Sequence, residues 1–392
     1  MKSRLLYSVF SFFVTVACAN ASYAKRATNL GTYGYADINI KGRIQLDAVT
    51  FDSDNASLDG NADVRRARIS IFGDINEEWR YVFDNSFVNR YWDVEKAFLG
   101  YKPLNSQWEF VFGQQFVPSS LEHLESGLNI TFLERAPVVD ALARGLRGGA
   151  SAKYVADNWS FHAGIYDERW GQVSVDDEGW EVASRVTYLP LGYDRNILHF
   201  GASFAREFTD EDSTARFRAR PESRLTNSFR SVDTGTLSNV KYTDKIGLEF
   251  ITQWDLFTLQ GEVIGARVER DNGAGDVNFD GWYAELGYLL TGEQRIYQPA
   301  RGHLNGIKPT KANCFSGGGI GAWQIAARYS ALDVSDDAIR GGEMNNLTLG
   351  INWYPEQRWR VMLNQSFIDT DEDAVVPNDN PKVTSLRIQY VF

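Results

Sequence analysis

Residues Val64 to Asp74 read VRRARISIFGD, three arginines set into a stretch whose other residues favour an extended strand. A strand sends successive side chains to opposite faces. If Ile69 and Ile71 take the apolar face, Arg66 and Arg68 take the other, and Arg65 is expected at a rim. Guanidinium groups in a narrow, partly dehydrated space attract anions, and each planar fork fits a pair of carboxylate or phosphate oxygens. Further cations fall in the same phase of other strands: Arg185, Arg328, and with them Arg80 and Lys96. One long segment, Ser119 to Gly149, matches neither a strand nor a tight turn and carries Arg135, Arg144 and Arg147, with Glu134 and Asp140 near enough in sequence to brace them. A second basic run, RFRARPESR, supplies Arg216, Arg218, Arg220 and Arg224 within a loop.

The elements that must hold these residues alternate almost everywhere with a period of two. In WQIAARYSAL, Trp323, Ile325, Ala327 and Tyr329 oppose Gln324, Ala326, Arg328 and Ser330. LTLGINWYP and WRVMLNQSF repeat the pattern on either side of a tight connection at Pro355 to Gln357, which marks a hairpin. From about Arg43 to Phe392 such runs number about sixteen, each roughly ten residues long. Trp, Tyr and Phe crowd the ends of the apolar faces and aliphatic residues fill their middles, as a lipid-facing band with aromatic girdles requires. The fold class expected is therefore all-β, a transmembrane antiparallel barrel, with Ser119 to Gly149 folded inward as a constriction loop. Short turns such as Asp157-Asn158 are expected at one end. Long loops at Asp52 to Asp63, Glu207 to Thr243 and Thr291 to Gly319 are expected at the other.

The first 24 residues have the form of a secretory leader: Lys2 and Arg4, an apolar run from Leu5 to Ala17, and small residues before Lys25. Removing them takes two cations and no acid, so the net charge moves from −11 to about −13. Residues 25–392 are expected to form one barrel in the outer membrane of a Gram-negative bacterium. Cys314 is then left without a partner for an internal disulfide. The acidic balance gives no basic face for nucleic acid. His123, His162, His199 and His303 have no metal-ligand spacing, and no serine lies in a nucleophile motif, so neither an enzyme nor a cofactor is expected. SGGGIG, Ser316 to Gly321, lacks the lysine and helix of a phosphate-cradling loop.

The stretches RRARISIFGDINEEWRYVFDNSF, ITFLERAPVVDALARG, FRARPES, GIGAWQIAARYSALD and TLGINWYPEQRWRVMLN resemble the phosphate-selective porin family, the O and P type outer-membrane channels. The resemblance spans the second strand to the penultimate one. It implies a sixteen-stranded, trimeric barrel with an arginine-lined lumen and an inward third loop that forms an anion site. On that matching, Arg65 and Arg66 correspond to the family's paired arginines, Arg135 to its constriction-loop arginine, and Arg218 and Arg220 to its later basic loop. The alternating final strand, ending at Phe392, resembles the signal by which the insertion machinery receives barrel proteins. The expected function is passive diffusion of anions, phosphate or polyphosphate among them; a weakly selective pore for other small solutes is the alternative. The family's lysine clusters are thin here, and acidic runs such as TDEDS and DTDEDA occupy expected loops.

Overall fold

The computed structural model describes residues 28–33, 36–88, 92–143, 145–170, 179–193, 195–209, 214–226, 228–271, 273–310 and 318–392. The leader, Arg144 and Cys314 lie outside the described residues. Sixteen strands form the barrel wall. The first eight are β1 (Ala36–Asp52), β2 (Asn61–Asp74), β3 (Trp79–Ser86), β4 (Asp93–Tyr101), β5 (Trp108–Phe116), β6 (Gly149–Val155), β7 (Trp159–Tyr166) and β8 (Gly179–Tyr193). The second eight are β9 (Asn196–Thr209), β10 (Val240–Trp254), β11 (Phe257–Arg270), β12 (Val277–Leu289), β13 (Ala322–Asp333), β14 (Glu343–Tyr354), β15 (Trp359–Thr370) and β16 (Lys382–Val391). Each pairs antiparallel with its neighbours in sequence, and β16 closes on β1 from Arg43 opposite Val391 to Asp52 opposite Lys382. Closure removes the sheet edges, so every wall strand finds its hydrogen bonds within the ring. Two shorter strands, Thr28–Tyr33 and Leu146–Arg147, pair onto β1 and β5 without belonging to the ring.

The phase read from the sequence sets which face meets lipid. Ile69, Ile71, Leu99, Ile246, Leu248, Val263, Leu286, Ile351 and Leu363 all project outward and stay between 36% and 59% exposed. Aromatic pairs gather at the short-turn end: Trp79 with Tyr101, Phe257 with Tyr288, and Trp359 with Tyr390, their ring centres 4.4–4.7 Å apart. Such rings suit a membrane–water boundary, where one edge is wet and the body is not.

The core of this protein lies inside the barrel. Segment 117–148 folds into the lumen and carries two short helices, α1 (Leu121–Leu124) and α2 (Pro137–Leu142). Segment 214–239 folds in from the same end. Val138, Val139 and Leu142 of α2, Phe217, Val232 and Leu237 of the second segment, and Ile264, Val277, Phe279 and Met344 of the wall form one buried apolar cluster. Glycine makes the approach possible at one point, because a Cβ on Gly281 would lie 2.9 Å from Val138.

The third long connection corrects the expected topology. Thr291 to Gly319 joins β12 to β13, so strand alternation puts it at the short-turn end, opposite the other long loops. Its described residues up to 310 turn inward, through the paired segments Arg295–Gln298 and His303–Ile307, and bury His303, Leu304 and Ile307. Alternating polarity along strands cannot reveal on which side a polar connection lies; only the strand count does.

Candidate functional site in the barrel lumen

The inward loop is held by the wall's own charges. At its start, the Glu262 carboxylate accepts from Leu121 N–H at 2.6 Å, Glu122 N–H at 2.9 Å and Ser120 Oγ at 3.1 Å, taking up the free donors at the start of α1. Along its middle, Arg360 donates to the carbonyls of Leu128, Ile130 and Thr131 at 2.9–3.2 Å. Arg387 donates to Leu133 O at 2.5 Å, forks onto Asp47 with both bonds at 2.7 Å, and reaches Glu134 at 2.9 Å. Arg328 meets Glu122 at 3.1 Å, Glu222 at 3.0 Å and Glu134 O at 3.1 Å, so one guanidinium ties together both segments that enter from the long-loop end. Arg295, from the third inward segment, pairs with Glu125 and donates to Asn129 O at 3.2 Å. Guanidiniums suit this work because one planar group can reach several acceptors at fixed angles, as Arg387 does with its fork onto Asp47 and its bonds to Leu133 O and Glu134.

Against this frame the residues singled out from the sequence separate into different tasks. Arg65 is not at a rim: the register shifts opposite Gln45 and Leu46, and Arg65 turns inward to fork onto Glu134 at 2.6 and 3.0 Å. A bulge breaks strict alternation, which is why period counting misplaced it. Arg66 does face the lumen, donates to Gln45 Oε1 at 2.7 Å and lies 4.0 Å from Glu134. The Gly127 backbone rests on it, and a Cβ there would come within 3.3 Å of its guanidinium carbon. Arg68 also faces inward, further toward the short-turn end, paired with Glu95. Arg135 is turned back into its own loop and donates to the carbonyls of Glu122, His123 and Glu125 at 2.9–3.2 Å. Glu134 therefore braces Arg65 and Arg387, and Asp140 pairs with Arg224 at 2.7 Å; neither braces Arg135 as its partner. Arg147 sits beside β5, paired with Glu181 at 3.3 Å and with Glu207. Arg218 is exposed in the second inward segment, and Arg220 lines a cavity of about 140 Å³ between that segment and α2.

Charge in the inward segments is uneven. Burial alone would raise the Glu134 carboxyl, yet Arg65, Arg387 and Arg66 hold it well below the usual carboxylate range. Burial outweighs the pull of Arg328 and pushes Glu122 up to about 8, with Glu285 adding to the rise. Burial and the like charges of Arg224 and Arg230 bring Arg220 down to about 10, so it stays cationic at neutral pH. Burial and Arg80 likewise lower Arg301.

Toward the short-turn end, between the inserted segments and the inner wall of β1 to β4, lies a cavity of about 420 Å³. Its lining carries Lys41, Arg43, Arg68, Arg80, Lys96, Arg301, Arg358 and Arg360, eight cations against the single carboxylate of Asp84. Arg43 stands 3.7 Å from Asp84, and Arg80 pairs with Glu109. Lys41, Lys96 and Arg301 have no carboxylate within 4 Å among the described residues. The sequence pattern marks Lys96 and Arg80 for the lumen; Lys41, Arg43, Arg301, Arg295 and Arg387 are added by the structure. Lys41, Arg43 and Arg387 share the lumen phase of their strands and were open to the same reading. Arg295 and Arg301 were not, because only the fold turns their segment inward.

A closed sixteen-strand ring with an apolar outside, a charged inside and a loop clamped across it is the architecture of a porin. The sequence matches the phosphate-selective porin O and P family over residues 38–392. The chain belongs to that family. It is 26% identical over 400 residues to Porin O of Pseudomonas aeruginosa, covering 90% of this chain and 87% of that one. It is 29% identical over 354 residues to an uncharacterized protein of Caulobacter vibrioides, covering 86% and 70%. Solved structures of similar fold include OmpT of Vibrio cholerae, with TM-score 0.59, 12% identity and 93% and 100% coverage. The anion-selective porin of Comamonas acidovorans is similar too, with TM-score 0.58, 12% identity and 91% and 100% coverage. A trimer form of OmpT also aligns, with TM-score 0.53, 12% identity and 91% and 99% coverage. The protein is a porin of the Gram-negative outer membrane. Its short-turn end is the periplasmic end and its long-loop end the outer one.

Proposed function

We propose that this porin is a passive channel for anions, phosphate and polyphosphate among them, working as a trimer. The observation that carries the reading is the periplasmic vestibule of about 420 Å³, lined by eight cations against Asp84 on the lining and Glu95 and Glu109 paired to Arg68 and Arg80. In a space walled by low-dielectric barrel, fixed cations raise the local concentration of anions and lower that of cations, whatever the net charge of the whole chain. At the outer mouth Arg218, Arg220 and Arg230 offer a first stop. Beyond the loop, Lys41, Lys96 and Arg301 offer charges with no carboxylate within 4 Å among the described residues. The arginines that clamp the loop, among them Arg65, Arg66 and Arg135, act on selectivity through the size and position of the constriction. An ion passes by exchanging part of its hydration for guanidinium and ammonium donors, then leaves because no single site holds it fully. No chemical step is involved. The trimer rests on the aligned OmpT trimer form.

The test is the reversal potential across a planar bilayer under a potassium chloride gradient. Wild type is expected to prefer chloride, and Lys41→Glu with Lys96→Glu to move the potential toward cation preference. A wild-type channel that prefers potassium, or a double variant with unchanged potential, refutes the reading.

A further inference from the structure

The periplasmic vestibule is not only basic. Phe72 and Phe98 project into it from the periplasmic ends of β2 and β4, and Leu128 and Ile307 close it from the first and third inward segments. The cations lie on the rings: Lys41 Nζ is 4.6 Å from the centre of Phe72, and the Arg80 guanidinium 5.6 Å from that of Phe98. Inward-facing aromatics are out of keeping with a conduit for small inorganic ions alone. A strongly hydrated oxyanion gains nothing from an apolar wall and loses water near it. The residues that charge chemistry would place at these positions are Ser, Thr or Asn, which the lumen face uses freely elsewhere, as at Thr348, Asn352 and Ser366.

We propose that this vestibule is a binding subsite for organic anions that join a phosphonate, phosphate or carboxylate group to a planar apolar body. The anionic group meets Lys41, Lys96 and Arg301, and the body lies against Phe72 and Phe98 beneath Leu128 and Ile307. At about 420 Å³ the cavity has room for an anion of benzene size together with several waters. The apolar body displaces water from surfaces that a small ion leaves wet, so affinity rises with apolar area while charge stays the same. This inference rests on the anion-channel reading above and names a substrate class for it.

The experiment is current block in single channels, comparing methylphosphonate with phenylphosphonate, each added from the periplasmic side. Phenylphosphonate is expected to block at a concentration about tenfold lower, from the extra apolar area buried. In Phe72→Ala with Phe98→Ala the ratio is expected to fall close to one. If that variant fails to insert, a wild-type series through ethyl-, butyl- and phenylphosphonate replaces it, and block must strengthen with apolar area. Equal block by methyl- and phenylphosphonate in wild type, or a ratio untouched by the two substitutions, overturns the subsite. The reversal potential of the same channels keeps the two readings apart. Anion preference with equal block sinks the subsite alone, and cation preference sinks the anion channel itself.

Discussion

Glu134 is the residue where positioning and permeation meet, and Glu134→Gln separates them. Its carboxylate accepts the fork of Arg65 at 2.6 and 3.0 Å and one bond of Arg387 at 2.9 Å, with Arg66 at 4.0 Å and Arg224 at 3.9 Å. The amide keeps the shape and one acceptor but removes a full negative charge from the constriction loop. Arg387 retains its fork onto Asp47, so the loop stays anchored, but the fork of Arg65 has no other carboxylate among the described residues and keeps one bond at most, so the structural cost is about 3–5 kcal/mol. The effect on ions is smaller. A unit charge roughly 8 Å from the ion path, at an effective dielectric constant of about 60, is worth ~0.7 kcal/mol, and at 0.1 M salt screening roughly halves this. The sign is opposite for anion and cation, so their permeability ratio shifts by about 0.6 kcal/mol, close to threefold in favour of the anion. The assay is the reversal potential in a tenfold potassium chloride gradient at low salt, repeated at 1 M, where the shift should shrink. A ratio that does not change at low salt, or moves toward potassium in channels of normal conductance, refutes the electrostatic reasoning.

Arg328→Met leaves Glu122, Glu222 and Glu285 facing one another without their cation, and the loop is expected to detach at a cost of about 3–5 kcal/mol; single-channel conductance should rise and become noisy. His303 is buried in the third inward segment, and burial brings its imidazole down to about 3, with Arg301, Arg185 and Arg295 adding to the drop. The inserted state therefore holds it neutral, and its contribution is complete above pH 6.5 and is lost as pH falls from there toward 3, by about 1.4 kcal/mol per unit. Periplasmic acidification from pH 7 to 4 should make the current flicker, and His303→Gln should remove that dependence. Gly42 lies under the terminal ring, where a Cβ would come within 2.1 Å of Phe392, and Gly42 and Phe392 exchange backbone hydrogen bonds of 2.8 and 3.0 Å. Gly42→Val should displace Phe392 and lower the yield of folded barrel in outer membranes, measured by heat-modifiable gel migration, while Ile44→Val on the same strand should not.

Local sequence determined the wall. Each strand must show one apolar face to hydrocarbon and one polar face to water, so a period of two is written into Trp323 to Ala331 or Trp359 to Gln365 without reference to any other part of the chain. The same constraint placed Arg66, Arg68, Arg185 and Arg328 inside, because a charge on the lipid face is costly. What lies inside the ring answers to no such repeat. Arg65 depended on a register shift set by its neighbour strand, and the orientation of Arg135 on carbonyls of its own loop. The role of Glu134 depended on Arg387, 253 residues away. The side on which Thr291 to Gly319 emerges, and the fact that it turns back to bring Arg295 to Glu125 and Arg301 into the vestibule, came from closing the whole barrel. Which cations are committed to carboxylates and which remain for a passing anion is a property of pairings across the lumen, and only the tertiary structure decides those.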